Sequence, residues 1–285
     1  MEIGKKFASL DTYNENMAKG LEDKLFFLNQ LPEPTLTNRY LFVDFGCADG
    51  TLVNALYRIM GDKNWYVGYD ISEQMIDLAR TKMNDSPDCV VFTSDWGDVM
   101  KSVAKFQEWG CTTKRVLILS SVIHEVYSYA KSTDELIWFW DIVTNGGWDY
   151  ICVRDMMVSP DVHLTPTPKE YIEKLKEHNF HIKKDRLDEF KNLWGPIENK
   201  KCALHFLLKY RWQINWNREV HENYFSIDTE DFLEQFKDNY NLDYFLRFRV
   251  PFLDQCIEKD FGLKLKDTDY THIKAIFSIK TNTNE

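Results

Sequence analysis

A chain of 285 residues, 44% hydrophobic and 15% aromatic, can build one large domain, or one domain carrying an insertion. Its formal net charge of −10 disfavours a protein whose main task is gripping nucleic-acid backbones. The six cysteines lie far apart with no CxxC pair, and no segment reads as a leader or a membrane span, so reduced thiols and a cytoplasmic location are expected.

Residues 11–31 place Met17, Leu21, Leu25, Phe26 and Leu28 at helical spacing, stopped before Pro32 and Pro34. Short apolar runs at 40–45, 65–69, 89–93, 115–120 and 149–154 then alternate with helical patterns near 50–60, 72–83, 97–108 and 133–143. Continuous apolar strands separated by helices predict a parallel sheet covered on both faces. The rhythm breaks after Arg154. Helical segments follow near 167–178, 198–218 and 228–238, then strand-like stretches at 242–250 and 272–280. Residues 156–226 hold 12 Lys/Arg and 10 Asp/Glu, a net of +2, against 23 and 35, a net of −12, in the remainder.

The turn after the first strand reads VDFGCADGTL. Gly46 and Gly50 permit tight backbone geometry and close approach of a ligand at a strand's carboxyl end, where open parallel sheets bind. A dinucleotide loop runs G-x-G-x-x-G; here the last glycine comes one position too early and Ala48 stands in the middle. Asp44, just before the loop, suits an ammonium better than a pyrophosphate. These features tilt the choice from NAD towards an amino-acid-bearing nucleoside.

VDFGCADGTL resembles motif I of the class I S-adenosylmethionine-dependent methyltransferases, small-molecule-type branch. VGYDIS (67–72), FTSDW (92–96) and VLILSSVIHEV (116–126) resemble the second, third and fourth-strand motifs, in order. The resemblance covers residues 40–155 and implies an α/β fold: a doubly wound, seven-stranded, mostly parallel sheet with a helical insertion before the last two strands. Residues 1–155 would form a cap helix and the cofactor-binding half. Residues 156–226 would form a lid for the acceptor, and 227–285 a final helix and two antiparallel strands.

The same resemblance implies the site. Asp44 would face the methionine ammonium, with Gly46 and Cys47 lining that moiety and Gly50 opening the helix. Asp70 would accept both ribose hydroxyls, Ile71 and Trp96 would sandwich the adenine, and Asp95 would accept from its amine. Met75 and Ser120 complete the cofactor set. Taken singly, these residues also read as plain turns, helix caps or surface positions.

After the fourth strand, Ser120-Ser121-Val122-Ile123 replaces the Pro-Pro motif of nucleic-acid amino methylases, no Pro-Cys nucleophile occurs, and the histidines lack metal-ligand spacing, so no metal is expected. SSVIHEVYSY resembles the corresponding segment of small-molecule enzymes. His124 is the candidate general base, with cofactor contact or packing as its plainer roles. Tyr13, Tyr127, Arg154 and Asp155 are candidate acceptor contacts, although Arg154 and Asp155 could simply pair with each other. In the segment 198–219, Ala203, Phe206, Leu207, Tyr210 and Ile214 form an apolar stripe; off it, His205, Arg211 and Trp212 are candidates to hold an aromatic or anionic acceptor. The expected reaction is methyl transfer from S-adenosylmethionine to an oxygen or nitrogen of a small molecule. Two alternatives are an RNA or nucleotide methyltransferase gripping through the basic insertion, and a cofactor-binding partner subunit without turnover.

Overall fold

The computed structural model of the chain describes residues 20–35, 38–84, 87–107, 112–177 and 184–281. Strands β1 (Asn38–Phe45), β2 (Trp65–Tyr69), β3 (Val90–Thr93), β4 (Thr112–Ser120) and β5 (Tyr150–Met156) pair in parallel. After β6 (Tyr240–Phe248), β7 (His272–Ile279) enters between β5 and β6, antiparallel to both. The order β3-β2-β1-β4-β5-β7-β6 is that of the class I methyltransferase fold. Leu41–Val43, Val116–Leu119 and Ile151–Val153 are almost wholly buried, because helices cover both faces; this is why the central strands read as unbroken apolar runs. The order reverses between β1 and β4, so their carboxyl ends open a crevice.

Helices α1 (Thr51–Met60), α2 (Glu73–Met83), α3 (Trp96–Gln107), α4 (Ile123–Tyr129) and α5 (Thr133–Asn145) cross between these strands. Ser72 caps α2, its side chain accepting from Met75 N, and Ser132 caps α5 in the same way from Glu135 N. The N-terminal pattern appears as a helical turn at Leu21–Lys24 and a 3-10 turn at Phe26–Asn29; positions 11–19, with Tyr13, lie outside the described residues.

The insertion contains α6 (Lys169–Glu177), α7 (Lys184–Trp194) and α8 (Lys200–Lys209). The helix expected over 198–218 stops at Lys209, and only one further turn, Trp216–Glu219, follows. Helix α8 is buried on almost every side, Leu204 and Leu208 included, while Ile214 is 53% exposed, so the expected stripe does not continue past Tyr210. After α9 (Thr229–Glu234), α10 (Pro251–Phe261) stands between the last two strands, with proline opening it and Gly262, at a φ of 59°, closing it. Ile257, Phe261, Leu263 and Leu265 from this segment complete a second apolar core with Tyr171, Phe190 and Phe206 of the insertion.

The loop after β1 holds three successive left-handed positions at alternate residues, Gly46 (φ 78°), Ala48 (φ 47°) and Gly50 (φ 73°). A Cβ on Gly46 would lie 2.6 Å from Val122 Cγ2, and one on Gly50 2.8 Å from the Phe92 ring, so neither tolerates a side chain. Ala48 bears the left-handed penalty that a glycine there would not. Ala48→Gly should therefore raise stability by about 0.5–1 kcal/mol, after allowing for the looser unfolded chain. Thermal unfolding checks this; a lower midpoint would mean that the Ala48 methyl contributes more by packing than it costs in backbone strain.

Candidate active site

The crevice at the carboxyl ends of β1, β2 and β4 holds two adjoining cavities that share Gly46, Ala48 and Ser120. The loop between them is stitched to β2, since Gly46 N and Cys47 N both donate to the Tyr69 carbonyl, at 2.7 and 2.9 Å. The larger cavity encloses about 960 Å³ including its open mouth, and the smaller about 370 Å³.

Asp70 stands at the edge of the larger cavity with both oxygens engaged. Oδ2 accepts from Ala48 N and Oδ1 from Ser72 N, each at 2.9 Å. Burial pushes its carboxyl up to about 6, against the pull of these two backbone donors. Ile71, Met75, Tyr69, Phe139 and Trp138 add an apolar wall, and Ser120 lies at the junction with the smaller cavity. The Ser120 hydroxyl is buried without a hydrogen-bond partner.

The smaller cavity is lined by Asp44, Cys47, Asp49, Lys24 and Leu21. Burial pushes the Asp44 carboxyl up to about 7, with Lys24 opposing, and burial followed by Arg154 brings the Lys24 ammonium down to about 8. The folded state thus holds the Asp44 proton more tightly than the unfolded chain does. The resulting stability is fully present below about pH 4 and is lost as pH rises through about 7. Asp44→Asn keeps the neutral form at every pH, so it should match the wild type near pH 4 and exceed it by about 1–3 kcal/mol above pH 7, measured by urea unfolding of the ligand-free protein. Equal stability at both pH values would show that Lys24 fully compensates the buried charge.

His124 does not face either cavity, contrary to expectation for a base acting directly on an acceptor. It is buried on α4, with Nδ1 2.7 Å from Asp155 Oδ1 and Nε2 4.0 Å from Glu222 Oε2. Burial lowers its pKa, but Asp155, with Glu125 and Glu222, outweighs this and raises it overall. Asp155 is fully buried; His124 and the backbone N–H groups of Met156 and Ile123 outweigh its burial and hold its carboxyl low.

The acceptor residues expected from the sequence are not brought together. Arg154 bonds Asp23 Oδ2 through Nε at 2.8 Å and Ser121 Oγ through NH1 at 2.9 Å, so it and Asp155 neither pair with each other nor line a cavity. Tyr127 turns towards α5, where its hydroxyl receives Trp140 Nε1–H at 3.0 Å; Tyr129, two residues on, reaches the cavity instead. His205 is buried in the second core, Nε2 accepting from Tyr224 N at 3.2 Å, and burial pushes its pKa well down. Arg211 pairs with Asp260 at 3.0 Å on the outer surface, and Trp212 beside it lines neither cavity, because α8 ends before it could present them. Asp95 spends one oxygen on Gly97 N at 2.7 Å, and Trp96 turns inward onto Phe45, Tyr69 and Trp148. Trp138 and Phe139 occupy the aromatic wall in its place. Gly50 shapes the loop and lines neither cavity.

The insertion reaches the larger cavity through Arg218. Its NH2 lies 3.1 Å from Glu125 Oε1, and its NH1 lies 3.0 and 2.8 Å from the Oε1 atoms of Glu219 and Glu222. Ligand atoms of His124, Glu125 and Glu222 gather within 4.8 Å, but the guanidinium already bridges both carboxylates. The sequence signal was NREVHENYF, an unusual density of charge among aromatic residues, which suits buried ion pairs better than a solvated face.

No family model and no curated protein matches the chain. Among solved structures, the plantazolicin methyltransferase BamL, in complex with a triazolic desmethylPZN analog and S-adenosylhomocysteine, is 12% identical over 93% of this chain and 83% of its own, with a TM-score of 0.39. The pyocyanin biosynthetic protein PhzM is 11% identical over 92% of this chain and 55% of its own, at 0.47. The magnesium protoporphyrin IX methyltransferase ChlM from Synechocystis PCC 6803, with bound S-adenosylhomocysteine, is 10% identical over 98% and 90%, at 0.46. What the site does has to follow from this chain's own residues.

Proposed function

We propose that the chain is an S-adenosylmethionine-dependent methyltransferase acting on an oxygen or nitrogen of a small molecule. The observation that carries this reading is Asp70, a carboxylate fixed by two backbone N–H groups at the edge of a cavity, as a pair of ribose hydroxyls requires. The cavities suit the cofactor in two further respects. The Ser120 hydroxyl offers an unused hydrogen bond at their junction, and Gly46 lines both cavities with bare backbone.

In this reading Asp44 and Lys24 hold the charged amino-acid end in the smaller cavity, and Ile71, Met75 and Ser120 flank the nucleoside. Bound S-adenosylmethionine would supply a methyl group already activated by its sulfonium. The protein's task is then to place the acceptor in line and exclude water, which supplies much of the rate enhancement. The larger cavity has the size of a small-molecule site. Calorimetry with S-adenosylhomocysteine tests the reading: binding at micromolar to millimolar concentration is expected. No heat of binding at millimolar ligand would reject it, and binding of NAD instead would restore a dinucleotide function.

A further inference from the structure

We propose that Asp23 is a positioning residue for the bound cofactor: it pins the Leu21–Lys24 turn to β5 and β7, and so holds the Lys24 ammonium in the smaller cavity to meet the carboxylate of the amino-acid end. The inference rests on the methyl-transfer reading for the identity of that ligand.

A single helical turn of four residues does not hold itself, and Gly20 gives this one no side-chain cap. Phe27, wholly buried, anchors the chain just after it. The turn itself is fastened by Asp23. Its Oδ2 lies 2.8 Å from Arg154 Nε on β5, and its Oδ1 pairs with Lys274 Nζ on β7. These two cations face each other across the antiparallel strands, and both stand over the Phe248 ring, so one carboxylate answers two like charges. Lys24, the next residue, lines the smaller cavity with Asp44 and Asp49.

Asp23 acts on the ligand in two ways. It fixes the turn, so the Lys24 side chain meets the amino-acid carboxylate without the entropy loss of ordering a loose chain on binding. It also neutralises Arg154, whose charge otherwise works against the Lys24 ammonium. Arg154 extends the tie. Its NH1 donates to Ser121 Oγ at 2.9 Å, and Ser121 N donates to the Arg154 carbonyl at 2.7 Å. Ser121 holds a left-handed φ of 58° and lines the larger cavity. One arginine that lines neither cavity thus braces a wall of each.

The probes are S-adenosylhomocysteine and 5′-methylthioadenosine, which keeps the nucleoside and the thioether but lacks the amino-acid end; calorimetry measures both. Asp23→Asn should weaken S-adenosylhomocysteine about tenfold and leave 5′-methylthioadenosine within about twofold. Lys24→Met should show the same split. The double variant should bind S-adenosylhomocysteine within about twofold of Lys24→Met, because Asp23 acts through Lys24; independent residues would multiply their losses. Should Asp23→Asn fail to fold, Asp23→Glu, which displaces the carboxylate by one methylene, takes its place in the cycle. Should wild type bind S-adenosylhomocysteine alone, the double variant decides. An unchanged affinity of Asp23→Asn for S-adenosylhomocysteine, an equal loss for both probes, or multiplied losses in the double variant overturns the inference and leaves cofactor binding standing. If wild type binds neither probe at millimolar concentration, the methyl-transfer reading falls and this inference falls with it.

Discussion

Asp70→Ala should weaken S-adenosylhomocysteine binding by about 1.5–3 kcal/mol, roughly ten- to a hundredfold, in a protein that still folds. Two effects add. The proposed ribose contacts are bonds to a charged acceptor, the stronger kind. In addition, Ala48 N and Ser72 N lose the carboxylate that tethers both loops, one of which holds Ala48 at a left-handed φ of 47°. Asp95→Ala is the matching control. Its carboxylate accepts from Gly97 N at the start of α3 and lines neither cavity, so cofactor affinity should stay within about twofold while stability falls by about 1 kcal/mol, the usual cost of a lost cap. Calorimetry on both variants checks the pair. An unchanged dissociation constant for Asp70→Ala would remove the ribose role, and a large loss for Asp95→Ala alone would move the nucleoside towards β3.

The strands were legible because each core strand is buried on both faces and so has no polar alternation to blur its limits. The loop was legible for a related reason: Gly46 and Gly50 occupy backbone conformations that side chains resist, so they punctuate the sequence where the chain must turn tightly. The acceptor side was not. Reading Arg211 and Trp212 as pocket residues assumed one long amphipathic helix, whereas α8 lies inside a second core and has no solvent face to reveal by periodicity. Helix α10 carried a signal that was available, proline at its first position and glycine just past its end. The Arg218 cluster carried only a local one, the charges set among aromatic residues in NREVHENYF, which does not say what Arg218 reaches. Only the tertiary fold, which carries that segment against α4, brings Arg218 to Glu125.

Lys209→Ala should cost about 3–5 kcal/mol of folding stability, the largest effect expected of any single change discussed. The side chain is fully buried, and its ammonium donates to the carbonyl oxygens of both Glu219 and Glu222 while lying 3.9 Å from the centre of the Tyr224 ring. Truncation takes this donor from two buried carbonyls and leaves a hole where the stem packed. Lys209→Met fills most of that hole, so the difference between the two variants isolates packing, and the loss that remains in Met belongs to the ammonium. The loop so pinned carries Arg218 to the larger cavity. The pH dependence has a definite sign. Burial brings Lys209 down to about 7 from 10.5, so between those values the unfolded chain binds a proton that the folded protein does not. Stability should therefore rise with pH across that window through this residue, opposite to the effect of Asp44 at lower pH. Urea unfolding from pH 7 to 10 should show this rise in wild type and a flatter profile in Lys209→Met; equal slopes would assign the rise to other groups and leave Lys209 charged in the folded core.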